Sequence, residues 1–87
     1  HRIYIGTGQN FSPPATATSD AIVALDMESG KPVWIFQAIA GDVWNGACLI
    51  AGPNCPENAG EDFDFGASVI LTQSTDGRDI LLAGQKS

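Results

Sequence analysis

The sequence predicts an all-β chain, and three observations carry that prediction. Five short runs rich in Ile, Val, Leu, Tyr, Trp and Phe are separated by clusters of Gly, Pro, Asn, Asp and Ser. No stretch keeps apolar residues at helical spacing over a useful length. The opening run Ile3-Tyr4-Ile5-Gly6, followed by Gly8-Gln9, resembles the closing run Ile80-Leu81-Leu82-Ala83, followed by Gly84-Gln85. With 87 residues the chain holds one small domain at most. A hydrophobic fraction of 44% against 16% charged residues argues for folded, strand-rich material and against disorder.

The elements follow in order. Residues 2–8 (RIYIGTG) read as a first strand ending in glycines, and residues 20–26 (DAIVALD) as a second. Met27-Glu28-Ser29-Gly30 supplies turn chemistry, with Gly30 placed for a left-handed backbone. Residues 31–38 (KPVWIFQA) form a third run. Val33 and Ile35 lie on one face and Trp34 and Phe36 on the other, so this strand is expected to be covered on both sides. Residues 67–73 (ASVILTQ), the turn at 74–77 and residues 78–84 (RDILLAG) complete a hairpin. Between the third and fourth strands lies a long segment, 39–66, rich in Gly, Pro, Asn and acidic residues. Connections usually take about 4–6 residues, so a loop of this length is functional or disordered. Trp44, Phe63, Phe65 and two cysteines argue for order.

Five strands with little more than one unit of sequence leave apolar faces and strand edges open. Radial repetition of small sheets solves that problem. The chain therefore reads as a partial β-propeller: the last three strands of one blade (1–38), a long loop with a cysteine pair (39–66), and the first two strands of the next blade (67–87). The chain opens inside a strand pattern at His1-Arg2-Ile3. It stops at Gln85-Lys86-Ser87 without a turn, as a piece of a longer chain would.

A net charge of −6 disfavours nucleic acid and anionic membrane as partners. No apolar run reaches the roughly 18–20 residues of a membrane span. Cys48 and Cys55 bracket a Gly/Pro/Asn loop and admit three readings: a loop disulfide, half of a metal site, or two free thiols. No histidine lies near them and neither begins a CxxC or CxxCH pattern, which argues against zinc or attached haem at this position. The disulfide is the expected state, and it points to an oxidising compartment, periplasmic or secreted.

The block Ala24-Leu25-Asp26-Met27-Glu28-Ser29-Gly30-Lys31-Pro32-Val33-Trp34 resembles the blade signature of pyrroloquinoline-quinone (PQQ) propellers, A-L-D-x-x-S/T-G-K-x-x-W. Non-enzymatic propellers that act as binding and assembly scaffolds share that signature. Three further stretches resemble quinoprotein alcohol dehydrogenases, the polyvinyl-alcohol dehydrogenases in particular. Tyr4-Ile5-Gly6-Thr7-Gly8-Gln9-Asn10 carries the general likeness, and the particular one rests on Gly41-Asp42-Val43-Trp44-Asn45 followed by Asn54-Cys55-Pro56 and Asp62-Phe63-Asp64-Phe65-Gly66-Ala67-Ser68, and on the closing Gly84-Gln85-Lys86-Ser87.

The resemblance implies an enzyme that oxidises alcohol groups with PQQ and calcium. It passes electrons to a cytochrome or other acceptor, and a haem c domain elsewhere in the protein is compatible with it. Gln9 or Asn10 takes the place of the family's calcium-binding asparagine, with Gln9 a departure from it. The family's catalytic aspartate falls on Asn45 without a gap, where it cannot act as a base. With the cysteine loop as an insertion it falls on Asp64, between Phe63 and Phe65, and Asp64 is the expected base. Lys86 stands where the family places a cation against the quinone, and Trp44 is expected to line the site. The competing readings are a scaffold propeller without chemistry, loop carboxylates that only make turn bonds, and a small self-standing domain such as a carbohydrate-binding β-sandwich.

Overall fold

The computed structural model describes residues 1–86 and is all-β. Strands β1 (Arg2–Gly6), β2 (Ala21–Asp26) and β3 (Pro32–Gln37) form an antiparallel sheet with β2 in the centre. Strands β4 (Ile70–Gln73) and β5 (Asp79–Leu82) form a separate antiparallel hairpin. The long connection carries one 3-10 helix, Gly46–Ile50, and no α-helix occurs among the described residues. Each strand lies inside the run expected from the sequence and is shorter at one or both ends. Two small antiparallel sheets in series are the arrangement of a partial propeller.

The β2–β3 turn shows why the blade signature has its residues. Asp26 Oδ1 accepts from Glu28 N, Ser29 N and Ser29 Oγ at 3.1, 2.7 and 2.8 Å, an Asx-type cap that holds the Asp26 carboxyl below the usual carboxylate range, chiefly through the Ser29 backbone N–H. Gly30 then takes φ +69°, and its N–H returns to Asp26 O at 2.9 Å. Registry places Tyr4 and Trp34 on either side of Ala24. Ala24 is 0% exposed, and the two rings lie 5.9 Å apart across it. Only a side chain as small as alanine fits between them.

The dry core is β2 itself: Ala21, Ile22, Val23 and Ala24, closed by Val43 from the loop. β3 departs from its expected double coverage, because Val33, Ile35 and Phe36 are exposed. β3 is the edge of its sheet, and only the central strand has a neighbour on each side and a loop above it. Trp34 is half-buried in an apolar groove shared with Ile22, Phe36, Phe65, Leu81 and Ala83, where the sheet meets the hairpin. β4 and β5 bury no residue fully. The radius of gyration is 15.1 Å, against about 12 Å for a compact chain of this length. No helix among the described residues is long and apolar enough to cross a membrane.

Candidate functional site at the ends of the strands

The site is assembled where β1 runs out. Pairing continues past the strand ends: Thr7 N donates to Ala21 O at 2.9 Å, Asp20 N to Gly8 O at 3.0 Å and Ala38 N to Asp20 O at 2.9 Å. The returning loop is laid against this end, with Phe65 N donating to Thr7 O at 3.1 Å. Two glycines make the approach sterically open. A Cβ on Gly6 would sit 2.8 Å from Phe65 Cβ, and one on Gly8 would sit 2.6 Å from Asp64 Oδ1.

Three of the residues expected from sequence meet here. Gln9 N donates to Asp64 Oδ1 at 3.1 Å. Lys86 Nζ donates to Asp64 Oδ2 at 3.2 Å and to Asp62 Oδ2 at 2.7 Å. The tail is fixed by backbone as well, with Lys86 N on Asp64 O at 2.8 Å and Gln85 Nε2 on Phe63 O at 2.8 Å. Asp62 carboxylate, then Asp64 carboxylate, hold the Lys86 ammonium above its ordinary range. The Asp64 side chain is 26% exposed and the Lys86 side chain 54% exposed, so the carboxylate is sheltered and the ammonium reaches solvent. This arrangement sets a hydrogen-bond acceptor beside a fixed cation on an open rim, and such a pair can take a proton and steady a nearby negative charge.

The other expected residues are placed differently. Asn10 Oδ1 accepts from Thr16 N at 2.8 Å and Thr16 Oγ1 at 3.2 Å, so both of its acceptor positions serve the loop 10–16. The Gln9 side-chain amide makes no hydrogen bond to the described residues. Trp44 is half-buried and its backbone N–H donates to Asp42 Oδ1 at 3.0 Å. Asn45 is the clasp of the cysteine loop: its Oδ1 accepts from Ala47 N at 2.9 Å, and its Nδ2 reaches Phe11 O at 3.1 Å and Asn54 O at 3.0 Å. Cys48 and Cys55 form a disulfide with Cα atoms 4.8 Å apart. Among the described residues no group of three or more His, Cys, Asp or Glu is arranged to hold a metal ion. Gln9, whose backbone N–H bonds Asp64, and Asp64 itself carry oxygens of the kind a calcium ion prefers, short of the six to eight of a full calcium shell.

Sequence reasoning missed Asp20. Asp20 and Asp42 are both 0% exposed. Asp42 is satisfied by loop backbone, accepting from Trp44 N and, through Oδ2, from Asp62 N at 3.1 Å. Both Asp20 carboxyl oxygens lack a donor among the described residues. Burial, then the neighbouring Asp42, pushes the Asp20 carboxyl up to about 7. A carboxylate directly before the apolar run AIVAL was the one signal available in the sequence.

Comparison with known proteins finds similarity to three dehydrogenases. It is 36% identical over 88 aligned positions to the polyvinylalcohol dehydrogenase of a Sphingopyxis species, covering 98% of this chain and 14% of that protein. It is 39% identical over 85 positions to the polyvinylalcohol dehydrogenase of a Pseudomonas species, covering 98% of this chain and 13% of that protein. Over 49% of the chain it is also 37% identical to the glycerol dehydrogenase large subunit of Gluconobacter oxydans. No family model matches the chain, and no solved structure does.

Proposed function

This chain is a relative of the polyvinylalcohol dehydrogenases and spans 13–14% of their length; from that premise we propose that it forms one wall of the catalytic site of a propeller enzyme that oxidises alcohol groups. The observation that carries the reading is the meeting of Gln9, Asp64 and Lys86, which lie far apart in sequence and are joined through both oxygens of one carboxylate. A strand end, a loop exit and a chain tail supply them separately. Turn chemistry alone does not require all three.

In this reading Asp64 accepts the proton of the substrate hydroxyl at its carboxylate while hydride departs from the carbinol carbon. Gln9 N–H and the Lys86 ammonium hold that carboxylate in place, one on each oxygen. Lys86 also presents positive charge at the rim, where it steadies negative charge formed during the reaction. Gln9 lends its amide oxygen to a calcium ion, and Trp44 and Lys86 line the cofactor's side of the site. PQQ, when bound, supplies the two-electron acceptor for the hydride. The enzyme works in the periplasm or outside the cell, where the Cys48–Cys55 disulfide persists, and it passes electrons to a cytochrome or similar acceptor.

The test is reconstitution of the full-length protein with PQQ and calcium. The expected result is quinone binding and reduction of an artificial dye by secondary alcohols. A protein that binds no quinone and reduces no dye with any alcohol is a scaffold propeller, and the reading fails.

A further inference from the structure

The Lys86 ammonium stands closer to Asp62 than to Asp64. Nζ lies 2.7 Å from Asp62 Oδ2 and 3.2 Å from Asp64 Oδ2. A lysine ammonium has three N–H donors, so one cation can serve both carboxylates. The nearer of the two has no part in the reading above.

The place of Asp62 is set from the buried side. Asp62 adopts φ +58°, a left-handed backbone that is uncommon for residues other than glycine. Its N–H donates to Asp42 Oδ2 at 3.1 Å. Asp42 is 0% exposed, and its other oxygen accepts from Trp44 N at 3.0 Å. Gly60, at φ +95°, lets that carboxylate come close, because a Cβ there would sit 2.6 Å from Asp42 Oδ1. Lys86 is framed as well. Its backbone N–H is bonded to Asp64 O at 2.8 Å, and Gln85 Nε2 to Phe63 O at 2.8 Å. Both partners of the Asp62–Lys86 pair therefore start from bonded backbone, and the ammonium is not left to the flexible four-carbon stem alone.

We propose that Asp62 is a positioning residue: it draws the Lys86 ammonium to itself and so keeps Oδ2 of Asp64 open to the substrate hydroxyl. The inference rests on the reading of Asp64 as the base. Asp64 Oδ1 already accepts from Gln9 N at 3.1 Å, so Oδ2 is the oxygen left to take a proton. Lys86 approaches that oxygen only to 3.2 Å, longer than the roughly 2.7–2.9 Å of a tight charge-assisted bond. Without the Asp62 carboxylate, Asp64 is the remaining ion-pair partner of Lys86, and the ammonium closes on it. The substrate hydroxyl then competes with the ammonium for the same lone pairs. Only the side chain of Asp62 does this work, since its bond to Asp42 is made by the backbone N–H.

The experiment compares the full-length protein with its Asp62→Asn and Asp62→Gly variants. Asparagine and glycine both accept a left-handed backbone, and both keep the N–H that reaches Asp42. Crystal structures of the quinone-free proteins locate Lys86 Nζ. Calorimetry measures PQQ binding in the presence of calcium, and steady-state oxidation of one secondary alcohol separates kcat from KM. In both variants Nζ is expected within about 2.9 Å of Asp64 Oδ2. The expected kcat is about tenfold lower, the size of one charge-assisted hydrogen bond. KM and quinone affinity stay within about twofold, because the proton is accepted only in the transition state. An ammonium that keeps its place or swings away from Asp64 overturns the proposal, and so does an unchanged kcat. A fall in kcat matched by an equal fall in quinone affinity assigns Asp62 to the shape of the loop and overturns it too. A wild-type protein that oxidises no alcohol sinks the underlying reading, and the crystal structures still decide whether Asp62 sets the place of the ammonium.

Discussion

The sheet β1–β3 and the hairpin β4–β5 have similar strand composition and opposite fates. In the first, the leading four residues of the central strand are buried and closed by Val43, and the loop is bonded to the end of β1 through Phe65 N on Thr7 O and Gln9 N on Asp64. In the second, four residues face four others, only Leu81 is partly covered, and the hairpin's hydrogen bonds to the rest run through Gln85 and Lys86. Burial in this chain therefore follows from what the polar loop covers. The residues that tether the loop and the tail are the same residues that compose the candidate site. Packing and chemistry meet at one end of the sheet.

The largest contrast should come from charge placed in each region. Val23→Asp puts an unpaired carboxylate into the buried strand and is expected to cost more than about 3 kcal/mol, enough to unfold a marginal domain. Leu71→Asp, on an exposed position of β4, is expected to change stability by less than about 0.5 kcal/mol. Thermal melts of the two variants in the full-length protein measure the difference. A hairpin buried against other parts of the full-length protein would show itself as a large Leu71→Asp effect, which sharpens the comparison by locating its missing cover.

The pH dependence probes the loop-covered end alone. Asp20 ionises in the folded protein near 7 instead of near 3.8. Its folded-state pKa is raised, so its contribution to stability is complete below about pH 4 and is lost as pH climbs through about 7. Stability against pH should fall across that window, and Asp20→Asn should flatten the curve. A wild-type curve that rises between pH 4 and 7, unaltered in Asp20→Asn, would contradict the buried acid.

A smaller effect separates two glycines. Gly8→Ala drives a methyl toward Asp64 Oδ1 and should cost about 1–3 kcal/mol by lifting the loop from β1. A Cβ on Gly84, at the end of the hairpin, meets nothing within 4 Å, so Gly84→Ala should be close to neutral. Equal losses in denaturant midpoint for the two variants would break the assignment of loop packing to β1.

The same contrast explains what could be read in advance. The strands and the Asp26–Gly30 turn were legible because their signals are local: alternating apolar residues, an Asp that caps, a glycine at positive φ. The double coverage expected of β3 is not met within this chain, which spans 13–14% of its relatives' length, because periodicity reports which residues are apolar and not where the covering layer lies. Asp64, Gln9 and Lys86 were legible only through resemblance, since a strand end, a loop exit and a tail share no periodicity. Asp20 was illegible because an aspartate beside a turn is ordinarily solvated, and its burial depends on residues 42–62 folding over it. Asn45, on which the gapless reading of the resemblance put the base, holds the cysteine loop together.

The central claim is that Asp64 is chemically active as well as a tether. Asp64→Asn keeps the shape and the oxygen that receives Gln9 N–H, and removes the charge and the basicity. In the full-length protein carrying PQQ and calcium, kcat for a secondary alcohol should fall by at least about 100-fold while quinone binding persists and the melting temperature moves by only a few degrees. An Asp64→Asn protein that melts much lower yet oxidises alcohol at the wild-type rate would show that Asp64 only holds the loop.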